Sequence, residues 1–274
     1  MQITIITVTL NDLSRLKRTA ISVMSQISSN FEWVIVDGYS NDGTSQFLAE
    51  LEIDSRIKCF KQIPSGIYSA MNLGAQNASG DYLWFLNAGD CFNSKISVEA
   101  ASLELSENRT EILITPVIHV DSRNRVQDLS IPFILQNGNR KEAHVNHQGV
   151  LVATKLFRRL NGFDANLALA ADGKFLDQAV SLENPLIGKQ IYVSFEIGGT
   201  AAQNFESTVR EIATYRNDAP RGLKLRYLSL RNSVKLCIYA ADSYLLASLA
   251  LRPLFKRRTR KALQNISTSQ LTII

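Results

Sequence analysis

The chain has 274 residues, of which 45% are hydrophobic and 20% charged. That is enough apolar material to bury a full core, which excludes a generally disordered chain and favours one large domain with a tail over two equal domains. The net charge of +5 is uneven, because residues 210–261 carry 13 Lys/Arg against 3 Asp/Glu, a local +10 that leaves −5 for the rest. Such asymmetry points the tail toward an anionic partner, either membrane lipid or nucleic acid. The three cysteines, Cys59, Cys91 and Cys237, have no spacing typical of a metal site or a disulfide, which fits a reduced, cytosolic setting.

In chain order, MQITIITVTL lacks a basic region and a small-residue cleavage site and runs straight into Asn11 and Asp12. It reads as a first strand, Ile3 to Val8, and not as a signal peptide. Its unbroken β-branched run is the pattern of a strand buried on both faces. Leu13 to Met24 has apolar residues near helical spacing, and Phe31 to Val36 is a second strand ending at Asp37 and Gly38. Ser40 to Thr44 gives a turn and a helix start, with Phe47, Leu48 and Leu51 on one face. Ile57 to Phe60 is a third strand, Gly66 to Ala78 a helix, and Tyr82 to Leu86 a fourth strand that breaks at Asn87. This alternation predicts an α/β fold with a mostly parallel central sheet.

After Asp90 the pattern loosens. Ile96 to Leu105 reads as a helix, Ile112 to Val120 as one strand, and Arg125 to Leu129 as an extended segment after a turn. Ile131 to Asn146 is polar, rich in Gly and Asn, and reads as a long irregular loop. Val150 to Ala153 is a short strand, Lys155 to Leu160 a short helix, Ala171 to Leu182 a longer one, and Leu186 to Val193 another strand.

Three carboxylates stand out by position. Asp37 and Asp90 each follow a strand, and ligands of open α/β sheets bind beyond the carboxyl ends of the strands. Asp172 opens a helix. Each also has a structural reading: an Asx-turn with Gly38 for Asp37, a cap on the following helix for Asp90, and an N-cap for Asp172. Together they describe a crevice able to hold a divalent cation through oxygen ligands, with another acid available to take a proton. Tyr68 and Asn72, one turn apart on a helix face, either look into the crevice or pack. Trp33 and Trp84 read as core, and His119 as structural. No G-x-G-x-x-G follows the first strand, which disfavours a dinucleotide-binding dehydrogenase.

The stretches ITIITVTLN, WVIVDGYSNDGTSQFL, GIYSAMNLGAQNASGDYLWFLNAGD and HQGVLVATKLFRRLNGFDANLALAADGKF resemble, in order, the successive motifs of family-2 glycosyltransferases, close to the colanic-acid and O-antigen type. The resemblance covers about Met1 to Gln203 and implies a GT-A fold over residues 1–204, with a nucleotide-sugar-binding half (1–92) and an acceptor-binding half (93–204). By position it implies that Thr9 and Asp37 bracket the nucleotide base and that Asp90 is the last carboxylate of the family's Asp-x-Asp motif, binding Mg²⁺ or Mn²⁺. It also implies that Asp172 is the catalytic base, that His147 and Gln148 line the site, and that Gly66, Asn72 and Asn87 belong to the donor site. The metal motif reads Asn87-Ala88-Gly89-Asp90, with one acid where many members have two, and Gly38 and Ser69 stand where relatives often carry aspartate. The expected activity is inverting, metal-dependent transfer from a nucleotide sugar to a saccharide on a polyprenyl-diphosphate lipid. The alternative is a catalytically inactive nucleotide-sugar-binding partner in a membrane assembly.

Residues 205–274 read as a helical, basic tail. Val234 to Phe255 is apolar but interrupted by Lys235, Asp242 and Arg252, too broken for the ~20 apolar residues of a membrane span. With the Lys256-Arg257-Arg258, Arg260, Lys261 cluster it predicts a helix lying on an anionic membrane, peripheral to the inner face of the cytoplasmic membrane, or else one packed on the domain with a solvated basic end. Aromatic residues do not interleave with this cluster as nucleic-acid stacking requires, so nucleic acid is not expected as a partner.

Overall fold

The computed structural model describes residues 1–121, 123–137, 140–197 and 204–216. Strand β1 (Ile3–Thr9) and strand β2 (Phe31–Asp37) are buried at every position, as their unbroken apolar runs require. They are joined by helix α1 (Leu13–Met24), and helix α2 (Thr44–Leu51) leads from β2 to β3 (Ile57–Lys61). Helix α3 (Ile67–Gln76) then crosses to β4 (Tyr82–Phe85), which pairs on the other side of β1. The chain thus leaves β1 in both directions, β2 and β3 on one flank and β4 on the other. That reversal creates a crevice at the carboxyl ends of β1 and β4.

The central sheet continues past β4 with β11 (Val150–Ala153), β6 (Ile112–Ile114) and β12 (Leu186–Ile187), in the order β12-β6-β11-β4-β1-β2-β3. All of its pairings are parallel except those of β11, which runs against both neighbours. Trp33 and Trp84 are fully buried in the core.

A second, four-stranded sheet, β5-β13-β7-β8, is made of β5 (Cys91–Phe92), β13 (Val193–Glu196), β7 (Val117–Val120) and β8 (Val126–Ser130). Ile112 to Val120 is therefore not one strand. Pro116 has no N–H to give a ladder, and at that point the chain leaves the central sheet for the second. Leu186 to Val193 divides in the same way between β12 and β13. The expected irregular loop contains a hairpin, β9 (Phe133–Asn137) paired antiparallel with β10 (Arg140–His144), with His144 stacked on Phe133 at 4.7 Å between ring centroids.

Helices α4 (Ser97–Asn108), α5 (Thr154–Arg159) and α6 (Ala171–Leu182) complete the domain. The last described element is α7 (Phe205–Arg216), the start of the expected tail, and it docks on α6 through Arg216 and Glu211. The segment Val234 to Phe255 and the basic cluster after it lie outside the described residues. Among the described residues no helix is long and apolar enough to cross a membrane.

Candidate active site

Thr9 and Asp37 are direct partners across β1 and β2, at the carboxyl ends of the two strands. Both are buried, and the Thr9 hydroxyl has no hydrogen-bond partner among the described residues. Asp37 is held locally, accepting the backbone N–H of Ser40 at 3.2 Å and its hydroxyl at 2.5 Å. The turn is closed by Ser40, three residues on, and not by Gly38.

Asp90 follows β4 and is only 3% exposed. It accepts a hydrogen bond from the Gln148 amide at 3.2 Å, and the nearby backbone of Glu196 and Asn87 also favours its charged form. Burial pushes its carboxyl up to about 7, against the pull of these groups and of nearby His147. A carboxylate in that state is short of compensating positive charge. The side-chain oxygens of Asn87 and Gln148, also buried, have no hydrogen-bond partner among the described residues. One carboxylate with two amide oxygens is a hard, all-oxygen donor set, which fits Mg²⁺ or Mn²⁺ if phosphate and water complete the shell. Among the described residues no three His, Cys, Asp or Glu side chains converge.

Asp172 lies in the first turn of α6, past the N-cap position, which is Ala170. Its Oδ1 accepts the Tyr68 hydroxyl at 2.8 Å and the N–H of Gly173 at 2.8 Å, and its Oδ2 accepts His147 Nδ1–H at 2.9 Å. His147 and Gln148 form a single 3₁₀ turn, His147–Gly149, that enters β11. The His147 Nε2 stands 3.3 Å from the Asn87 amide. One network therefore runs from Tyr68 through Asp172 and His147 to Asn87, while Gln148, the next residue, reaches Asp90. Burial opposes charge on both members of the Asp172–His147 pair, yet their mutual hydrogen bond and attraction prevail. Asp172 is held below the usual carboxylate range, and His147 above the usual imidazole range. The Tyr68 phenol, buried beside Asp172, is pushed far above its ordinary value and stays a hydrogen-bond donor. The pair remains open on one side, its side chains 17% and 25% exposed, so a substrate can reach it.

Gly66 and Asn72 are not drawn into this cluster. Gly66 takes φ +99° at the start of α3 and has open space where a side chain would stand. Asn72 holds the backbone of Phe163 from both sides, donating to its carbonyl at 2.8 Å and accepting its N–H at 2.9 Å. Glu196, which local pattern did not single out, has its backbone near Asp90, where it favours the charged form, and binds Arg15 and Arg18 through its carboxylate at 2.8 and 2.7 Å. A cavity of about 760 Å³ lined by Asp81, Thr154 and Arg158 lies at the opposite end of the strands and contains none of these groups.

A mostly parallel sheet whose order reverses between β1 and β4, with Asp37 and Asp90 buried at the carboxyl ends of its strands, is the arrangement of a GT-A fold. The chain belongs to glycosyl transferase family 2, whose family model matches residues 4–159. It is 29% identical over 211 residues to an uncharacterised glycosyltransferase of Mycobacterium tuberculosis (strain H37Rv), an alignment covering 76% of this chain and 79% of the relative. It is 25% identical over 177 residues to the PGL/p-HBAD biosynthesis glycosyltransferase of Mycobacterium bovis, covering 62% of this chain and 66% of that protein. In fold it is similar to S. aureus TarS 1–349 in complex with UDP, with a TM-score of 0.61 at 18% identity over 96% of this chain and 79% of that one. It is also similar to a mannosyltransferase of Pyrobaculum calidifontis in complex with GDP-Man and Mn²⁺, with a TM-score of 0.62 at 15% identity over 95% and 84% of the two chains.

Proposed function

We propose that this glycosyltransferase is an inverting, divalent-metal-dependent enzyme that moves a sugar from a nucleotide sugar to a saccharide carried on a polyprenyl-diphosphate lipid, in the assembly of a bacterial surface polysaccharide. The observation that carries the reading is the Tyr68–Asp172–His147 network, an ionised acid fixed by three donors and open to solvent beside a second, charge-starved acid, Asp90. Thr9 and Asp37 hold the base of the donor nucleotide. Asp90, with the amide oxygens of Asn87 and Gln148, would hold Mg²⁺ or Mn²⁺. When bound, the cation offsets the negative charge that develops on the departing nucleoside diphosphate.

The rest of the chemistry belongs to the chain. A carboxylate has about four acceptor positions, and three on Asp172 are filled. The remaining one takes the proton of the acceptor hydroxyl while that oxygen bonds to the anomeric carbon. The bond from that carbon to the diphosphate breaks, its electron pair leaving with the phosphate, and attack from the opposite face inverts the configuration. Positioned proton removal of this kind contributes roughly 10²- to 10⁴-fold. The lipid acceptor is supported by the basic, apolar composition of residues 234–261, which would rest on the inner face of the cytoplasmic membrane.

The test is thermal stability of the purified protein against UDP-, GDP- and dTDP-sugars, each with and without Mn²⁺. A ligand at 100 times its Kd adds about 2.7 kcal/mol. Stabilisation by one nucleotide class that requires Mn²⁺ and is lost in Asp90→Ala is expected. Stabilisation that ignores both Mn²⁺ and Asp90→Ala would overturn the metal role.

A further inference from the structure

The helix that carries Asp172 begins without a cap of its own. Its N-cap residue is Ala170, preceded by Ala168 and Leu169, and none of the three has a side chain that can accept a hydrogen bond. The acceptor comes from α7. Glu211 takes the N–H of Ala168 at 3.1 Å through Oε1, and those of Leu169 and Ala170 at 2.9 and 3.0 Å through Oε2. Three backbone donors on one carboxylate are charge-assisted hydrogen bonds, and the negative charge stands at the end of α6 where the helix dipole favours it.

Five residues further along α7, and seven beyond Ala170 on α6, the same two elements are joined again. Arg216 of α7 donates Nε and Nη2 to the two oxygens of Asp177 at 2.8 and 3.0 Å, and Nη1 to Glu142 of β10 at 3.1 Å. Both ends of this grip are buried, the Arg216 and Asp177 side chains being 12% and 7% exposed. Between the two attachments lies Asp172. On the same stretch the Tyr215 hydroxyl comes within 3.1 Å of where a Cβ on Gly173 would stand, so α7 packs directly on the turn that holds the acid. Both α6, with Asp172, and α7 lie beyond residue 159, where the match to the family model ends.

We propose that Glu211 is a positioning residue for Asp172, and that α7 belongs to the catalytic unit and not to a separable tail. The inference rests on the reading of Asp172 as the base, and it adds that the base's placement is set by α7, from a segment the sequence assigned to the tail. Catalysis tolerates little movement of such a group, since ~1 Å of misplacement can cost on the order of 10²-fold.

Glu211→Gln keeps the shape but puts an amide N–H₂ against backbone donors, while Glu206→Gln, on the exposed face of α7, is the control. Two readouts on the full chain separate the questions. Amide hydrogen exchange at Ala168, Leu169 and Ala170 reports the grip directly, and should quicken in Glu211→Gln and stay unchanged in Glu206→Gln. Release of nucleoside diphosphate from the panel of UDP-, GDP- and dTDP-sugars reports turnover. Here Glu211→Gln should lower kcat roughly 10- to 100-fold with donor KM unchanged, and should cost nothing further when added to Asp172→Asn, because it acts through that acid. Unchanged exchange, or quickened exchange with wild-type kcat, overturns the positioning role. Multiplicative losses in the double variant overturn it as well. Full turnover by Asp172→Asn alone would instead remove the base assignment, and the exchange data would still decide whether Glu211 fixes the turn.

Discussion

Asp172→Asn separates chemistry from folding at this site, because the network can re-form around an amide of the same shape. The amide oxygen still accepts from the Tyr68 hydroxyl and the Gly173 N–H, both at 2.8 Å in the native protein. The amide N–H₂ then faces His147, which accepts it on Nδ1 as a neutral imidazole protonated on Nε2. That Nε2–H faces the Asn87 amide N–H₂ at 3.3 Å, so in the metal-free protein the Asn87 amide turns over to present its oxygen, which has no partner among the described residues. What is lost is one charge-assisted bond, about 1.5–3 kcal/mol, or a fall in Tm of roughly 3–12 °C for a domain of this size. The rate has no such repair. An amide cannot take the acceptor's proton, so turnover should fall by roughly 10²- to 10⁴-fold, about 2.7–5.4 kcal/mol on the barrier. The assay is the initial rate of nucleoside diphosphate release at saturating donor, beside a thermal melt of the same sample. A variant that melts as expected yet turns over at the wild-type rate removes Asp172 from the chemistry.

The first half of the fold was legible because its strands are buried on both faces, so Ile3–Thr9 and Phe31–Asp37 leave an apolar signature that needs no partner to interpret. The second half was not, because its breaks depend on which sheet a strand joins. Pro116 shows in the sequence that something must change between Ile114 and Val117, but not that the two pieces enter different sheets. The polar segment 131–146 hid a hairpin because β9 lies on the surface, where Phe133 and Leu135 are about half exposed and no buried face imposes a clean alternation. In the candidate site, Asp90 and Asp172 stood out by position and His147 and Gln148 by resemblance, and the structure places Asp172 against His147 and Asp90 against Gln148. Tyr68 was left open between packing and the crevice, since the partner that decides the matter is 104 residues away. Asn72, on the same helix face, has both amide groups engaged by Phe163. Glu211 left no local trace, because a glutamate on a short helix of a basic segment looks the same whether it faces water or holds another helix.

Two further outcomes test the packing beneath the site. Gly149→Ala places a Cβ 2.4 Å from the Thr115 carbonyl oxygen and 2.7 Å from Val117, where β11 crosses the start of the second sheet. Such overpacking costs about 1–3 kcal/mol, and because Gly149 follows His147 and Gln148, the melt should drop together with the stabilisation given by donor and Mn²⁺. A full donor response in a destabilised protein would show that the turn moves independently of Gly149. At the far end of the sheet, Glu32 is buried and accepts from Thr4 and from the N–H and hydroxyl of Ser79, at 2.8, 2.8 and 2.9 Å, and also pairs with Lys58. Burial alone would raise its carboxyl, but these donors and Lys58 hold it below its ordinary value of 4.5. A carboxyl whose folded value lies below its unfolded one contributes stability above the unfolded value, and that contribution is lost as pH falls through the folded value. Lys58 is the largest of the lowering influences, but because it is 46% exposed solvent weakens its share, and the Thr4 and Ser79 bonds act beside it. Urea unfolding at stepped pH from neutral into the acid range should therefore show the wild type ahead of Glu32→Gln by about 1–3 kcal/mol at neutrality, with the two converging below the unfolded value. Parallel curves across that range would mean that the carboxylate's charge is not what those four donors stabilise.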